Sequence, residues 1–411
     1  MELLLGCIPA RPFLVAACLW WVLAPAAAGQ SPLRLDTVTA PGVHPVIEVR
    51  MSGSVMDQLL DSRGAKIEVT NVPFRFDDRE ALAESFRIRG RSSTNYMRKS
   101  FTVELDTAMA IPFDRDTLAL RKFYLVSMNM DHHYFHNKLS FACLSQLGLF
   151  NLRQRYVEVR INRRSQGVYL LIQRPEDHLF DELNSAYFLR RGYKNRIEED
   201  EFEGSFSEAF KDSCRQRFHQ IYEAVDSLNG QALYTYLNER LNLRDYMRWM
   251  AFNYWFKNGD YSDEVFFYLP GKRADLPYEI LAWDYDDIFA DAPHEGPMAR
   301  RQWLGDAMIF SAESILDRTI GQDEYLYRHY LEELRYVLSA LPEEWLAKTC
   351  NDIYRQLYPF YQDKAILRVS RYDRGGSTSL KSLREALMNV YDDYLVQRRR
   401  ELYQTLQAAL R

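Results

Sequence analysis

The chain has 411 residues, 47% of them hydrophobic and 27% charged, a globular composition long enough for a large core. Its net charge of -5 argues against a dedicated nucleic-acid binder. No Gly/Ser/Pro-rich linker, internal repeat or low-complexity tract divides it.

Residues 1–28 read as a secretory signal peptide. Arg11 precedes the apolar run PFLVAACLWWVL, and Ala26, Ala27 and Ala28 offer small residues for cleavage near Ala28. The run from Phe13 is short for a spanning helix, which needs ~20 apolar residues. An uncleaved anchor is the rival reading, and lipidation at Cys18 fits less well because little apolar sequence precedes it. The mature chain is therefore expected outside the cytoplasm, in a periplasm, at a cell surface or secreted, with no stable membrane insertion. It keeps Cys143, Cys214 and Cys350, enough for at most one disulfide with one thiol left over. No Cys/His metal spacing appears.

Residues 29–178 are expected to be β-rich. VIEVRMSG and AKIEVTNVPFRF alternate apolar and polar residues, ESFRIRGRSSTNYMRKSFTVELD is a strand pair around a polar turn, and FYLVSMN is a short buried strand. HNKLSFACLSQLGL has helical spacing and stops at Gly148. RYVEVRINRRSQGVYLLIQRP is a hairpin with strands Tyr156–Ile161 and Val168–Gln173 and a turn at Asn162–Gln166. Residues 179–230 are expected to be a polar insert, with RIEEDEFEGSF a solvated loop. From 231 the chain turns helical. Asn242 caps a helix Leu243–Lys257 that Gly259 stops. EVFFYL, the turn GKRADLP and EILAW then give strand, turn, strand. After Gln302 amphipathic helices run to the end.

The chemistry concentrates around that second hairpin. In an antiparallel pair the start of one strand lies beside the end of the other. Asp260, Asp263 and Glu264 should therefore face Asp284, Asp286 and Asp287. Carboxylates brought together repel and raise one another's pKa, and Mg2+ would relieve them through oxygen ligands. The arrangement resembles that of protein kinases, where a catalytic-loop Asp is followed by a metal-binding Asn, a strand pair and a second metal-binding Asp. The bland alternative is two polar strand ends. A second feature is cationic. Arg87, Arg89, Arg91, Arg98 and Lys99 surround a Gly/Ser turn whose N–H groups could meet an anion. Lys99 shares a strand face with Phe101, Val103 and Leu105, and burying it needs a partner, a phosphate being one solution; the alternative is an edge strand with surface charge. In MDHHYFHNK the three histidines lack a zincin Glu and read as a polar segment and helix start.

Four segments in order resemble the CotH (spore coat protein H) kinase-like family: RIRGRSS…RKSFTVEL, MNMDHHYFHNKLSFACLSQLGL, YVEVRINRRSQGVYLLIQ, and FNYWFKNGDYSDEVFFYL…ILAWDYDDIF. YLVQRRRELYQTL is similar to the family's closing helix. The resemblance covers the chain from about Val46 onward. It implies an α+β, atypical protein-kinase-like fold with a β-rich N-terminal and a largely helical C-terminal part. It also implies phosphorylation of Ser or Thr in protein substrates with ATP and Mg2+. By that carry-over Asp260 is the catalytic base, and Asp284 is a metal ligand with Asp286 as alternative or second. Glu264 stands at the position where the family often has a metal-binding Asn. Lys99 and Arg89 would lie on the phosphate side. Gln173 replaces a strand-end Glu that contacts nucleotide. The Glu264 and Gln173 departures keep a second function open, a non-catalytic member of the fold binding a protein or polymer. A metal-dependent hydrolase using the same carboxylates is a third.

Overall fold

Strands with one apolar face must bury it, and the N-terminal strands do so by closing on themselves. The computed structural model describes residues 33–36, 38, 42–90, 92–114, 116–370 and 378–410. The signal-peptide expectation and Arg91 lie outside these residues. β1 (Val46–Val49), β2 (Glu68–Phe76), β3 (Arg79–Arg89), β4 (Ser100–Pro112), β5 (Thr117–Val126), β6 (Gln154–Ile161) and β7 (Arg164–Gln173) form a closed barrel. The strand order is β1-β2-β3-β4-β5-β7-β6, and a parallel β1–β6 pair closes it. Phe74, Phe76, Phe86, Phe101, Phe123 and Tyr169 fill the barrel. Truncating one of these rings would cost about 3–5 kcal/mol. The β6–β7 turn is tighter than the sequence suggests. Asn162 and Arg163 both take positive φ, 50° and 65°, the two-residue hairpin geometry, so β7 begins at Arg164.

The remaining strands make a second sheet, in the order β11-β10-β8-β9. These are β8 (Tyr187–Gly192), β9 (Arg196–Phe202), β10 (Val265–Tyr268) and β11 (Glu279–Ala282). The expectation of a solvated loop at RIEEDEFEGSF is therefore corrected, because Arg196–Phe202 is a strand. Its Ile197 and Phe202 pack on the core, Glu199 and Glu201 are exposed, and Asp200 accepts from the Arg215 guanidinium. An edge strand tolerates that charge, which is why its composition imitates a loop. The helix Glu208–Glu223 follows, capped by the Ser207 side chain.

Asn242 caps the helix Leu243–Phe256, its side chain accepting from the Asp245 N–H. At the other end it is Lys257, at φ 48°, that takes the left-handed position, not Gly259. Gly259 serves a different need: a Cβ there would stand 2.3 Å from Asp287 Oδ2. The C-terminal part is helical as expected, with long elements at Glu324–Ala340, Glu343–Gln362 and Arg398–Ala409. Cys143, Cys214 and Cys350 are free, buried thiols. Strands and helices together make an α+β protein. No helix among the described residues is long and apolar enough to cross a membrane.

Candidate functional site

The β10–β11 hairpin pairs Val265 with Ala282. One step further, Trp283 N–H donates to Glu264 O at 3.1 Å, and Gly259 N–H donates to Asp287 O at 2.9 Å. Asp260, Asp263 and Glu264 are thus carried to Asp284, Asp286 and Asp287, as antiparallel pairing requires. Asp284 holds φ 45°, a left-handed conformation unusual for a residue with a Cβ. The start of the helix His136–Gln146 steadies the segment. Asn137 Oδ1 accepts from Tyr285 N–H at 2.9 Å, and His136 Nδ1 lies 3.4 Å from Asp286 O. Asp131 in turn fixes that helix start by accepting from the His133 and His136 N–H groups.

The convergence is visible in the electrostatics. Burial, then Asp263, pushes the Asp260 carboxyl up to about 7, with His294 opposing. Burial raises Glu264 well above the usual carboxylate range; Arg190 opposes this, while Asp284, Asp263 and Asp260 add to it. Asp284 is raised by burial against the guanidinium groups of Arg190 and Arg89. Asp286 is raised by burial and then by Asp284, Asp131, Asp287 and Asp260. For His294, burial disfavours the charged ring, yet Asp260 and Asp287 outweigh it and raise the imidazole.

One carboxylate oxygen each from Asp260, Asp263 and Glu264 lies within 4.8 Å of the others, the spacing that a single cation could gather. Glu264 Oε2 is buried and makes no hydrogen bond, so one hard donor of the set is unsatisfied. These groups fit a Mg2+ ion. Asp284 and Asp286 stand outside this closest group and join it through charge, whereas Asp263 belongs to it.

The cationic residues divide. Arg89, at the end of β3, lies 3.8 Å over the Tyr124 ring and 5.8 Å from that of Trp283, and its charge reaches Asp284. Lys99 is buried, but its ammonium donates to the carbonyl oxygens of Thr94, at 2.7 Å, and Ser62. The partner that its burial demands is thus supplied by backbone. Arg98 likewise donates to Gln166 O and Val168 O. Gln173 is buried at the end of β7, accepting from Arg153 N–H at 3.2 Å and donating to Glu182.

Sequence reasoning missed two site residues. Arg190 on β8 donates to Asp263 O at 3.1 Å and to Glu264 Oε1 at 2.5 Å. His294 contacts both Asp260 and Asp287. The only hint of Arg190 is the RR doublet ending an apolar strand, and nothing marks the lone His294. A second group, His44, Glu158 and Asp363, also clusters, but Arg160 sits 2.6 Å from Glu158 and already supplies its positive charge.

The family model described as CotH kinase protein matches residues 86–402, most of the chain and all of the acidic site. No curated protein matches the sequence.

Proposed function

Since the chain belongs to the CotH kinase protein family, we propose that it is an exported atypical protein kinase. It would transfer the ATP γ-phosphate to Ser or Thr of a protein substrate in the presence of Mg2+. On the same premise the barrel and the sheet-and-helix part are read as the two parts of an atypical kinase-like fold. The observation that carries the proposal is Asp260. It stands where two acidic segments meet, with its carboxyl pushed up to about 7. A general base works best with a pKa near the working pH.

Magnesium-bound ATP would supply the transferable phosphoryl group and neutralise its charge. Asp263 and Glu264 would hold the metal, with Asp284 and Asp286 adding negative potential. Asp260 would accept the proton of the attacking hydroxyl at its carboxylate. Arg89, 3.8 Å over the Tyr124 ring, is the candidate for phosphate contact, and Gln173 for a nucleotide contact. Lys99 is left out, because backbone carbonyls already occupy its ammonium.

Incubating the mature protein with labelled ATP and Mg2+ tests this. Transfer to protein that Asp260→Asn abolishes supports it; no transfer and no nucleotide-dependent stabilisation would sink it. The second reading, a non-catalytic family member that binds a protein or polymer, is favoured by one observation. The Arg190 guanidinium lies 2.5 Å from Glu264 and already neutralises that position. Retention of ATP without transfer would select it.

A further inference from the structure

A closed circuit of buried hydrogen bonds runs beneath the acidic loop. Arg191 on β8 donates from Nε to Ser262 O at 2.5 Å and from Nη1 to the Tyr246 hydroxyl at 2.5 Å. The Tyr246 hydroxyl donates to Asp317 Oδ1 at 2.5 Å, and the Tyr261 hydroxyl donates to Asp317 Oδ2 at 3.0 Å. Each of the four side chains is at most 1% exposed. The circuit begins and ends on neighbouring residues of one loop, Ser262 and Tyr261, which stand between Asp260 and Asp263. Tyr246 accepts from Arg191 and donates to Asp317, while the Tyr261 hydroxyl also lies 3.3 Å from Ser311 O and Arg191 Nη2 is left without a partner. Burial raises the Asp317 carboxyl, and Arg191 opposes that rise. The Arg191 charge offsets that of Asp317. Such charge-assisted bonds are strong in a low-dielectric interior.

The strand itself is adapted to this task. Consecutive strand residues normally point to opposite faces. The β8–β9 register shifts between Arg190 and Arg191, and both arginines reach the same loop, Arg190 at Asp263 O and Arg191 at Ser262 O.

We propose that Arg191, Tyr246, Asp317 and Tyr261 are positioning residues that fix where the Asp260 and Asp263 carboxylates stand, and so set the cation affinity and proton-accepting competence of the site. For its kinetic consequence this rests on the phosphotransfer reading; for its binding consequence it rests on the carboxylate group alone. Removing one link lets the loop shift, and displacement by about 1 Å can cost on the order of a hundredfold in rate.

The test uses the mature full chain and Tyr261→Phe, which deletes one hydroxyl and keeps the ring. Titration with Mg2+ alone, read by calorimetry, should show affinity reduced about tenfold. Phosphotransfer kinetics should show kcat reduced at least as much, with KM for the protein substrate within about twofold, and a displaced acid limb of the pH profile. A purely structural role would lower Tm and leave the Mg2+ affinity and the acid limb in place. Tyr246→Phe gives the same reading should a variant fold poorly. Unchanged Mg2+ affinity, kcat and acid limb in both variants overturns the proposal. If the wild-type chain transfers no phosphate, the kinase reading falls and the Mg2+ titration still decides positioning: altered affinity upholds it, and unaltered affinity overturns it. A wild-type chain that neither binds Mg2+ nor transfers phosphate overturns both.

Discussion

His294 holds Asp260 from the open side of the loop, its Nδ1 3.2 Å from Asp260 Oδ1, while its Nε2 reaches Asp287 Oδ2 at 3.0 Å. The imidazole opposes the burial that raises the Asp260 carboxyl. If Asp260 acts as its carboxylate, activity should rise with pH through about 7. In His294→Gln that opposition is gone, Asp260 titrates higher, and the acid limb moves to higher pH. The variant should lose more activity at pH ~6 than at pH ~8. A pH–rate profile of the two proteins checks it.

The same carboxyl gives a stability prediction whose sign is fixed by linkage. In the folded protein the Asp260 carboxyl is pushed up to about 7, above the ordinary aspartate range near 4. The folded state therefore binds the proton more tightly, and this group's contribution to stability falls as pH rises from about 4 through about 7. Asp260→Asn removes the repulsion. Its Tm should exceed that of the wild type at pH ~8 and match it at pH ~4, as read by calorimetry.

Cation binding should follow the opposite course. Protons compete for Asp260 and Glu264, both of which hold them more tightly than usual. The gain in Tm on adding Mg2+ should be small at pH ~6 and larger at pH ~8. A gain independent of pH, or one that survives Asp263→Asn with Glu264→Gln, would count against a site at these carboxylates.

Gly259 gives a steric prediction. A Cβ at this position would meet Asp287 Oδ2 at 2.3 Å. Gly259→Ala must push Asp287 or the loop aside, at about 1–3 kcal/mol of stability. Activity should fall further than stability does, because the displaced loop carries Asp260. Urea unfolding beside turnover assays separates the two losses.

Arg190 and Glu264 give a coupling prediction. Arg190→Met removes the cation that opposes the rise of the Glu264 carboxyl, so that group takes up a proton and the variant loses the hydrogen bonds to Glu264 and Asp263 O, which should lower stability. Adding Glu264→Gln should restore part of it. A double-mutant cycle in denaturant measures the coupling, and additive losses would show that the pair is not an energetic unit.

The convergence of Asp260–Glu264 on Asp284–Asp287 was legible because it follows from one rule of strand pairing and one hairpin. The barrel strands were legible from alternation, although their closure was not, since nothing local in a strand states which neighbour it finds. Lys99 was read as inward-facing and is buried; what the sequence concealed was that carbonyls of Ser62 and Thr94 would receive it. Arg190, Arg191 and Asp317 were missed because their partners lie 31 to 123 residues away for the two arginines, and 56 and 71 for the two tyrosines on Asp317. Asp317 also sits in an ordinary helix with nothing to distinguish it from a solvated acid. The acidic strand β9 was misread because charge density at a sheet edge and in a loop look alike.

That strand has a consequence for how copies of this chain behave toward one another. The barrel has no edge to offer, and Ala282 N–H on β11 is occupied by Leu149 O at 3.2 Å. At the other edge of that sheet lies β9, which carries Glu198, Glu199, Asp200 and Glu201, Asp200 being paired with Arg215 and Glu199 and Glu201 exposed. A second molecule approaching edge to edge would bring an identical row of negative charge against it. Repulsion between such edges disfavours growth of the sheet across molecules at high concentration, and the acids that disguise the strand in the sequence guard its edge against aggregation.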